Sequence, residues 1–202
     1  MTDLYYTIKG AGKSQYKEKM SRFLSFAIPV ESAEAAKQEI KRYQNEYHDA
    51  RHVCWAYMIG PDRIEYQLND NGEPSGTAGK PILGQINSFG VTNVVVIVVR
   101  YFGGIKLGTP GLIAAYREAA RLALEDAGIK EMRKMRVISI SFPYISADGV
   151  LRVVKGEDVE VRSRSFDNTC GMTIAVSLNR RDAIVGKILK VDGISIVSET
   201  EE

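Results

Sequence analysis

The stretch Val94–Leu112, VVVIVVRYFGGIKLGTPGL, joins three signals in one run of chain. Its first six residues are β-branched and apolar without a break, a pattern that predicts a strand buried on both faces. Arg100, Tyr101, Phe102, Gly103, Gly104 and Lys106 follow, and Gly108-Thr109-Pro110-Gly111 opens a helical pattern. A buried strand therefore delivers a flexible, basic loop to a helix N-terminus.

Working outward, the helix predicted over 111–127 carries Leu112, Ala115, Ala119, Leu122 and Ala123 on one stripe, with Gly128 placed as its C-terminal cap. Upstream, NDNGEPSGTAGKP (Asn69–Pro81) is rich in turn formers and leads into a short helix over about 77–89. Earlier still, strands are predicted over 4–9 and 19–28, joined as a hairpin through the turn formers of 10–15. An amphipathic helix over 31–47 and a second hairpin, 49–59 with 64–68, complete a first domain of order ββαββαβα. The two glycine-rich loops each follow a strand and precede a helix, so they are expected to meet at one edge of the sheet as a single site.

Beyond Ile129 the pattern restarts. Strands over 136–144, 159–166, 172–178 and 194–199 alternate with helices over 148–155 and 182–191, giving βαββαβ, the ferredoxin-like order. The fold class is α+β, with domains at 1–131 and 132–202 and the charged run EMRKMR (131–136) as connector.

Composition narrows the function. With 45% hydrophobic and 26% charged residues the chain reads as globular. The net charge is +2, with 16 basic and 15 acidic residues up to Met132 and 11 and 10 after it. This excludes a binder that works by bulk positive charge but leaves room for a local basic patch. Cys54 and Cys170 have no paired spacing and fit reduced thiols. The start MTDLYYTIKG lacks a signal-peptide pattern, and no apolar run is long enough to span a membrane, so the expected location is cytoplasmic.

Familiar chemistry fails on spacing. Gly79-Lys80 lacks the phosphate-loop pattern because Pro74 and Pro81 occupy its glycine and hydroxyl positions, and 103–108 supplies no dinucleotide fingerprint. The two histidines and two cysteines show no metal-ligand spacing, so no metal and no cofactor is expected. His52 and Cys54 share a strand face; a thiol nucleophile needs a neighbouring base, but same-face strand residues stand side by side rather than converge, so no catalytic residue is assigned. Asp70 and Glu73 could serve acid–base or cation chemistry, but two carboxylates three residues apart in a turn are more often turn and cap residues.

What survives is an anion site. Two helix starts with Lys80, Arg100, Lys106 and Thr109 nearby favour negative charge, and Tyr101 and Phe102 offer rings to nucleobases. Asp70, Gly72, Glu73, Ser75, Thr77 and Gly79 are the candidates in the other loop. The second domain adds Arg162 and Arg164 on one strand and Arg180-Arg181 at a helix start, residues that suit RNA or a solvated face alike.

Three blocks carry a family resemblance: DARH (49–52), NGEPSGTAGKP (71–81) and VRYFGGIKLG (99–108). They resemble the signatures of the IMPACT/YigZ family. That resemblance implies a first domain with the ribosomal protein S5 domain 2-like fold and a second similar to the last domain of elongation factor G, as in bacterial two-domain members. It also implies a role near translation, since eukaryotic members contact an activator of an initiation-factor kinase. The leading expectation is a regulatory, translation-associated protein that binds RNA or the ribosome. The alternatives are a module that binds a translation-related protein, and a phosphate- or nucleotide-handling enzyme using Asp70, Glu73, Lys80 and Arg100.

Overall fold

The computed structural model describes residues 3–155, 159–167 and 169–201. In chain order its elements are β1 (Leu4–Ile8), β2 (Gly12–Glu18), β3 (Ser21–Pro29), α1 (Ala33–Glu46), β4 (His52–Ile59), β5 (Glu65–Asn69), α2 (Gly79–Ser88), β6 (Val94–Tyr101) and α3 (Gly108–Ala127). Then come β7 (Ile129–Arg133), β8 (Met135–Pro143), α4 (Ala147–Lys155), β9 (Val159–Ser165), β10 (Thr169–Ser177), α5 (Arg181–Ile188) and β11 (Ser195–Glu201). The elements are mixed α and β, and the chain divides into two units, 5–132 and 1–4 with 133–202.

In the 5–132 unit, β6 is the central strand of a sheet ordered β2-β3-β6-β4-β5. Its valines explain why. Val94, Val96 and Val98 pack against Ile82 and Ile86 of α2 and Leu112, Ala115 and Ala119 of α3, while Val95, Ile97 and Val99 pack against Ala36, Ile40 and Tyr43 of α1. Helices cover both faces, so the unbroken apolar run has no solvent side, and each such burial contributes about 1.5–3 kcal/mol.

Two sequence expectations fail here. The run 10–15 is not the turn of a β1–β3 hairpin: β2 begins at Gly12 and pairs with β3 from Gly12↔Ala27 to Glu18↔Ser21. The turn sits at Lys19 and Met20, both at positive φ (41° and 67°), as a two-residue hairpin of the primed type requires. Gly12 belongs to a strand because α3 lies on it; a Cβ there would come within 2.3 Å of the Ala123 carbonyl oxygen. The displaced β1 pairs instead with β7, an exposed strand that ends with the EMR of the supposed connector EMRKMR, and Met135 and Arg136 already begin β8. Backbone pairing, to which charged side chains are no obstacle at an exposed edge, overrides the composition signal.

The other unit has the order β8-α4-β9-β10-α5-β11 and a sheet ordered β11-β8-β10-β9, antiparallel throughout. Ile138, Ile140, Phe142, Met172, Ile174 and Val176 form its core with Val150 of α4 and Ile184 of α5. Cys54 and Cys170 are both free and buried. No helix among the described residues is long and apolar enough to cross a membrane.

Candidate functional site

Neighbouring strands in register set the floor of the site. Phe23 on β3 lies opposite Arg100 on β6, and Arg100 lies opposite His52 on β4. Strand alternation sends Tyr101 to the other face, where its hydroxyl donates to Asp49 at 2.9 Å and its ring stacks under Arg22. Tyr101 therefore does not share a wall with Arg100 and Phe102.

The Asn69–Pro81 loop is organised by Asp70. Its carboxylate accepts backbone N–H groups from Gly76 (2.8 Å), Ala78 (3.0 Å) and Gly79 (2.8 Å). Burial alone would raise the Asp70 pKa, yet these donors, helped by Lys80, outweigh it and hold the carboxyl below its usual range. Asp70 is thus a turn and cap residue that already fills the start of α2. An external anion has no place there.

Glu73 does something else. It is buried, with Arg100 Nη1 2.6 Å and the Tyr116 hydroxyl 2.8 Å from its Oε1, and His52 Nε2 at 4.0 Å. Arg100 also reaches Ser21 Oγ at 3.4 Å, while its Nε is buried without a partner. Nearby, Cys54 Sγ lies 2.9 Å from the Asp70 carbonyl and 3.3 Å from Tyr116 Oη. Burial pushes the Cys54 thiol and the Tyr116 phenol well above their ordinary pKa values, so neither is an anion at neutral pH. A Cys54–His52 nucleophile pair is therefore not formed, the more so because His52 Nδ1 faces the Asn71 carbonyl at 2.8 Å rather than the thiol.

Above this floor opens a cleft of about 460 Å³ lined by Arg51, His52, Glu73, Arg100, Phe102 and Lys106, with Gly72, Leu107, Gly108 and Thr109 at its margins. Arg51, Phe102 and Lys106 are exposed. The first turn of α3 carries no acidic side chain, and no side chain caps it. Gly103 seats the loop: a Cβ there would meet the Met20 backbone carbon at 2.0 Å. Gly104, at φ 92°, completes the turn.

The predicted residues therefore separate. The cleft brings together Arg100, Phe102, Lys106, Thr109, Gly72 and Glu73. Thr77 turns inward to the Pro74 carbonyl (2.7 Å), and Gly79 packs on Leu68. Ser75 is exposed, and Lys80 lies in a separate depression with Gly84, Gln85 and Arg117. Gly72, Glu73 and Pro74 bring the Asn69–Pro81 loop into the cleft with Arg100, whereas Lys80 lines the other depression and Asp70 lines neither. In the other unit, Arg181 is held by Glu199 (2.6 and 2.8 Å) and Asp182. Arg162 pairs with Glu160 at 3.2 Å and is the residue at which the β9 register slips, between Val161↔Ile174 and Ser163↔Thr173, whereas Arg164 stays in register opposite Met172. Arg180 belongs to the short turn before α5. Sequence reasoning missed Arg51 and Tyr116 as site residues; Tyr116 sits on the buried α3 stripe, where nothing in the pattern marks it as polar at its tip.

Residues 19–124 match the Impact N-terminal domain. The chain belongs to the IMPACT family. It is 37% identical over 144 residues to IMPACT family member YvyE of Bacillus subtilis (strain 168), covering 71% of this chain and 66% of that protein. It is 37% identical over 134 residues to IMPACT family member YigZ of Escherichia coli (strain K12), covering 65% and 66%. Both alignments thus span just under two thirds of these relatives' length. A crystal structure of a hypothetical protein aligns over 98% of each chain with a TM-score of 0.74 and 26% identity. The IMPACT match contains β3 to β6 and the start of α3, and so every residue lining the cleft.

Proposed function

We propose that this IMPACT family chain is a cytoplasmic, translation-associated protein that binds RNA, free or within the ribosome, through the cleft at the start of α3. The observation that carries the reading is the charge balance of the cleft. Its one carboxylate, Glu73, is matched internally by Arg100, which leaves Arg51 and Lys106 as exposed cations beside an uncapped helix start. Among the described residues no ion pair engages either one. In this reading the first domain is of the S5 domain 2-like class. The second is ferredoxin-like and similar to the last domain of elongation factor G, a placement that its βαββαβ order and antiparallel sheet support. The test is co-sedimentation with ribosomes and binding of labelled RNA at low salt, with wild-type protein and the Arg51→Ala/Lys106→Ala variant. Binding that the variant loses supports the reading; wild-type protein that binds neither target ends it.

A second reading, a regulatory contact with a translation-related protein, draws on the exposed side chains of Met20, Phe102 and Ile105 on the cleft loop and the hairpin turn against it. Pull-down by wild-type protein of a reproducible protein partner that survives nuclease treatment, and is lost in Met20→Ser/Ile105→Ser, would favour it over RNA.

A further inference from the structure

Two side chains in the cleft have roles that neither packing nor the charge balance explains. Phe102 is 46% exposed although the loop holding it is fixed by the seat of Gly103 on Met20. The Arg100 guanidinium lies 5.6 Å from the centres of both the Phe102 and Phe23 rings, so it backs the exposed ring from the interior. A ring held this way is a platform rather than part of the core.

His52 supplies the second feature. A carbonyl only accepts, so the contact with Asn71 O requires the hydrogen on Nδ1 and, in the neutral ring, leaves Nε2 as an acceptor. The residue is 9% exposed and lines the cleft, and no hydrogen bond among the described residues uses Nε2. Glu73 stands 4.0 Å away, too far to bond and already occupied by Arg100 and Tyr116. An acceptor on the wall of an open cleft is free to take a donor from a ligand.

We propose that the cleft holds one unpaired nucleotide of single-stranded RNA: its base stacked on Phe102, its ribose 2′-hydroxyl donating to His52 Nε2, and its phosphate between Arg51, Lys106 and the start of α3. This rests on the RNA-binding reading above and narrows it to one substrate class. A cleft of about 460 Å³ lies in the size range of small-ligand sites and admits a nucleotide. Bases in a duplex have both faces covered by their neighbours, so a ring seated in a cleft meets only an unstacked base. The 2′-hydroxyl is the group that separates RNA from DNA, and as both donor and acceptor it can meet Nε2.

The experiment is fluorescence anisotropy with short labelled oligouridine, the matching deoxyoligouridine and an RNA duplex. The proteins are wild type, Phe102→Ala, Phe102→Trp, His52→Asn and Arg51→Ala/Lys106→Ala, each checked for an unchanged melting midpoint. Asparagine keeps an amide near the Nδ1 position, able to bond Asn71, but has nothing at Nε2. Wild type is expected to prefer oligouridine over both other ligands. Phe102→Ala should lose about 10-fold or more in affinity for it while Phe102→Trp retains binding. In His52→Asn the preference for RNA over DNA should disappear. Oligouridine binding that is unaffected in Phe102→Ala, or wild-type binding equal for RNA, DNA and duplex, overturns the single-nucleotide site while leaving general RNA binding in place. Loss of RNA binding confined to Arg51→Ala/Lys106→Ala likewise overturns the single-nucleotide site alone, and wild-type protein that binds no RNA overturns the broader reading as well.

Discussion

Two arginine–glutamate pairs in this chain have the same chemistry and opposite surroundings. Arg100 and Glu73 meet at 2.6 Å with side chains 6% and 3% exposed, and Arg181 and Glu199 meet at 2.6 Å with side chains 34% and 22% exposed. The first pair is enclosed by Tyr116, Ser21, His52 and Phe23, so each charge depends on the other. The second is two-pronged but shares its carboxylate with Arg136 at the protein surface, where water is an adequate substitute. Burial, not geometry, decides which pair holds structure together and which is interchangeable. The same contrast separates a cleft with two exposed cations, Arg51 and Lys106, that no ion pair among the described residues engages, from a surface where Arg162 and Arg181 are paired.

The largest break in this comparison should come from Glu73→Ala, which strands Arg100 in the interior. Loss of one partner of a buried pair costs about 3–5 kcal/mol, read as a fall in the urea midpoint. The Glu73→Leu/Arg100→Met double variant, which removes both charges, should be more stable than Glu73→Ala; a double variant that is worse would deny that the stranded charge is the cause. Asp70→Ala comes next, because three backbone donors lose their acceptor, for a cost of about 1–3 kcal/mol. That contribution has a pH signature. A carboxyl whose folded pKa is depressed stabilises the fold above its unfolded value of about 3.9 and loses this as pH falls through the folded pKa. The stability gap between wild type and Asp70→Asn should accordingly narrow on acidification below about pH 4 and stay constant from there to neutrality. At the small end, Arg181→Ala should leave the unfolding midpoint unchanged within error, since its partners remain hydrated; a clear drop would show that the surface pair is not interchangeable.

What was legible in the sequence follows from range. The unbroken Val94–Val99 run and the Gly128 stop of α3 are local signals, and the strand and helix stand where those signals place them. Gly12, Ser14 and Gln15 read as turn formers because nothing local reveals that α3 needs a glycine to lie on β2. The charged run 131–136 read as a connector because the ends of two strands, β7 and β8, meet in it and neither leaves an alternation in composition. In the site, period-two alternation alone separates Tyr101 from Arg100 and Phe102. The 27-residue separation of Glu73 from Arg100, by contrast, leaves no trace in spacing. Asp70 looked like a turn residue and is one; Glu73, three positions on, looked the same and is instead the counter-charge of the cleft.

The central claim is that cleft cations, rather than the paired arginines of the second unit, hold the phosphates. It is tested most directly by the salt dependence of single-stranded RNA binding in wild type, Arg51→Ala/Lys106→Ala and Arg162→Ala/Arg181→Ala. Removing two phosphate contacts should reduce the slope of log affinity against log salt by roughly 1.4, at about 0.7 per contact, in the cleft variant. The other variant should keep the wild-type slope. An unchanged slope in Arg51→Ala/Lys106→Ala, with the loss appearing in Arg162→Ala/Arg181→Ala, would contradict the account.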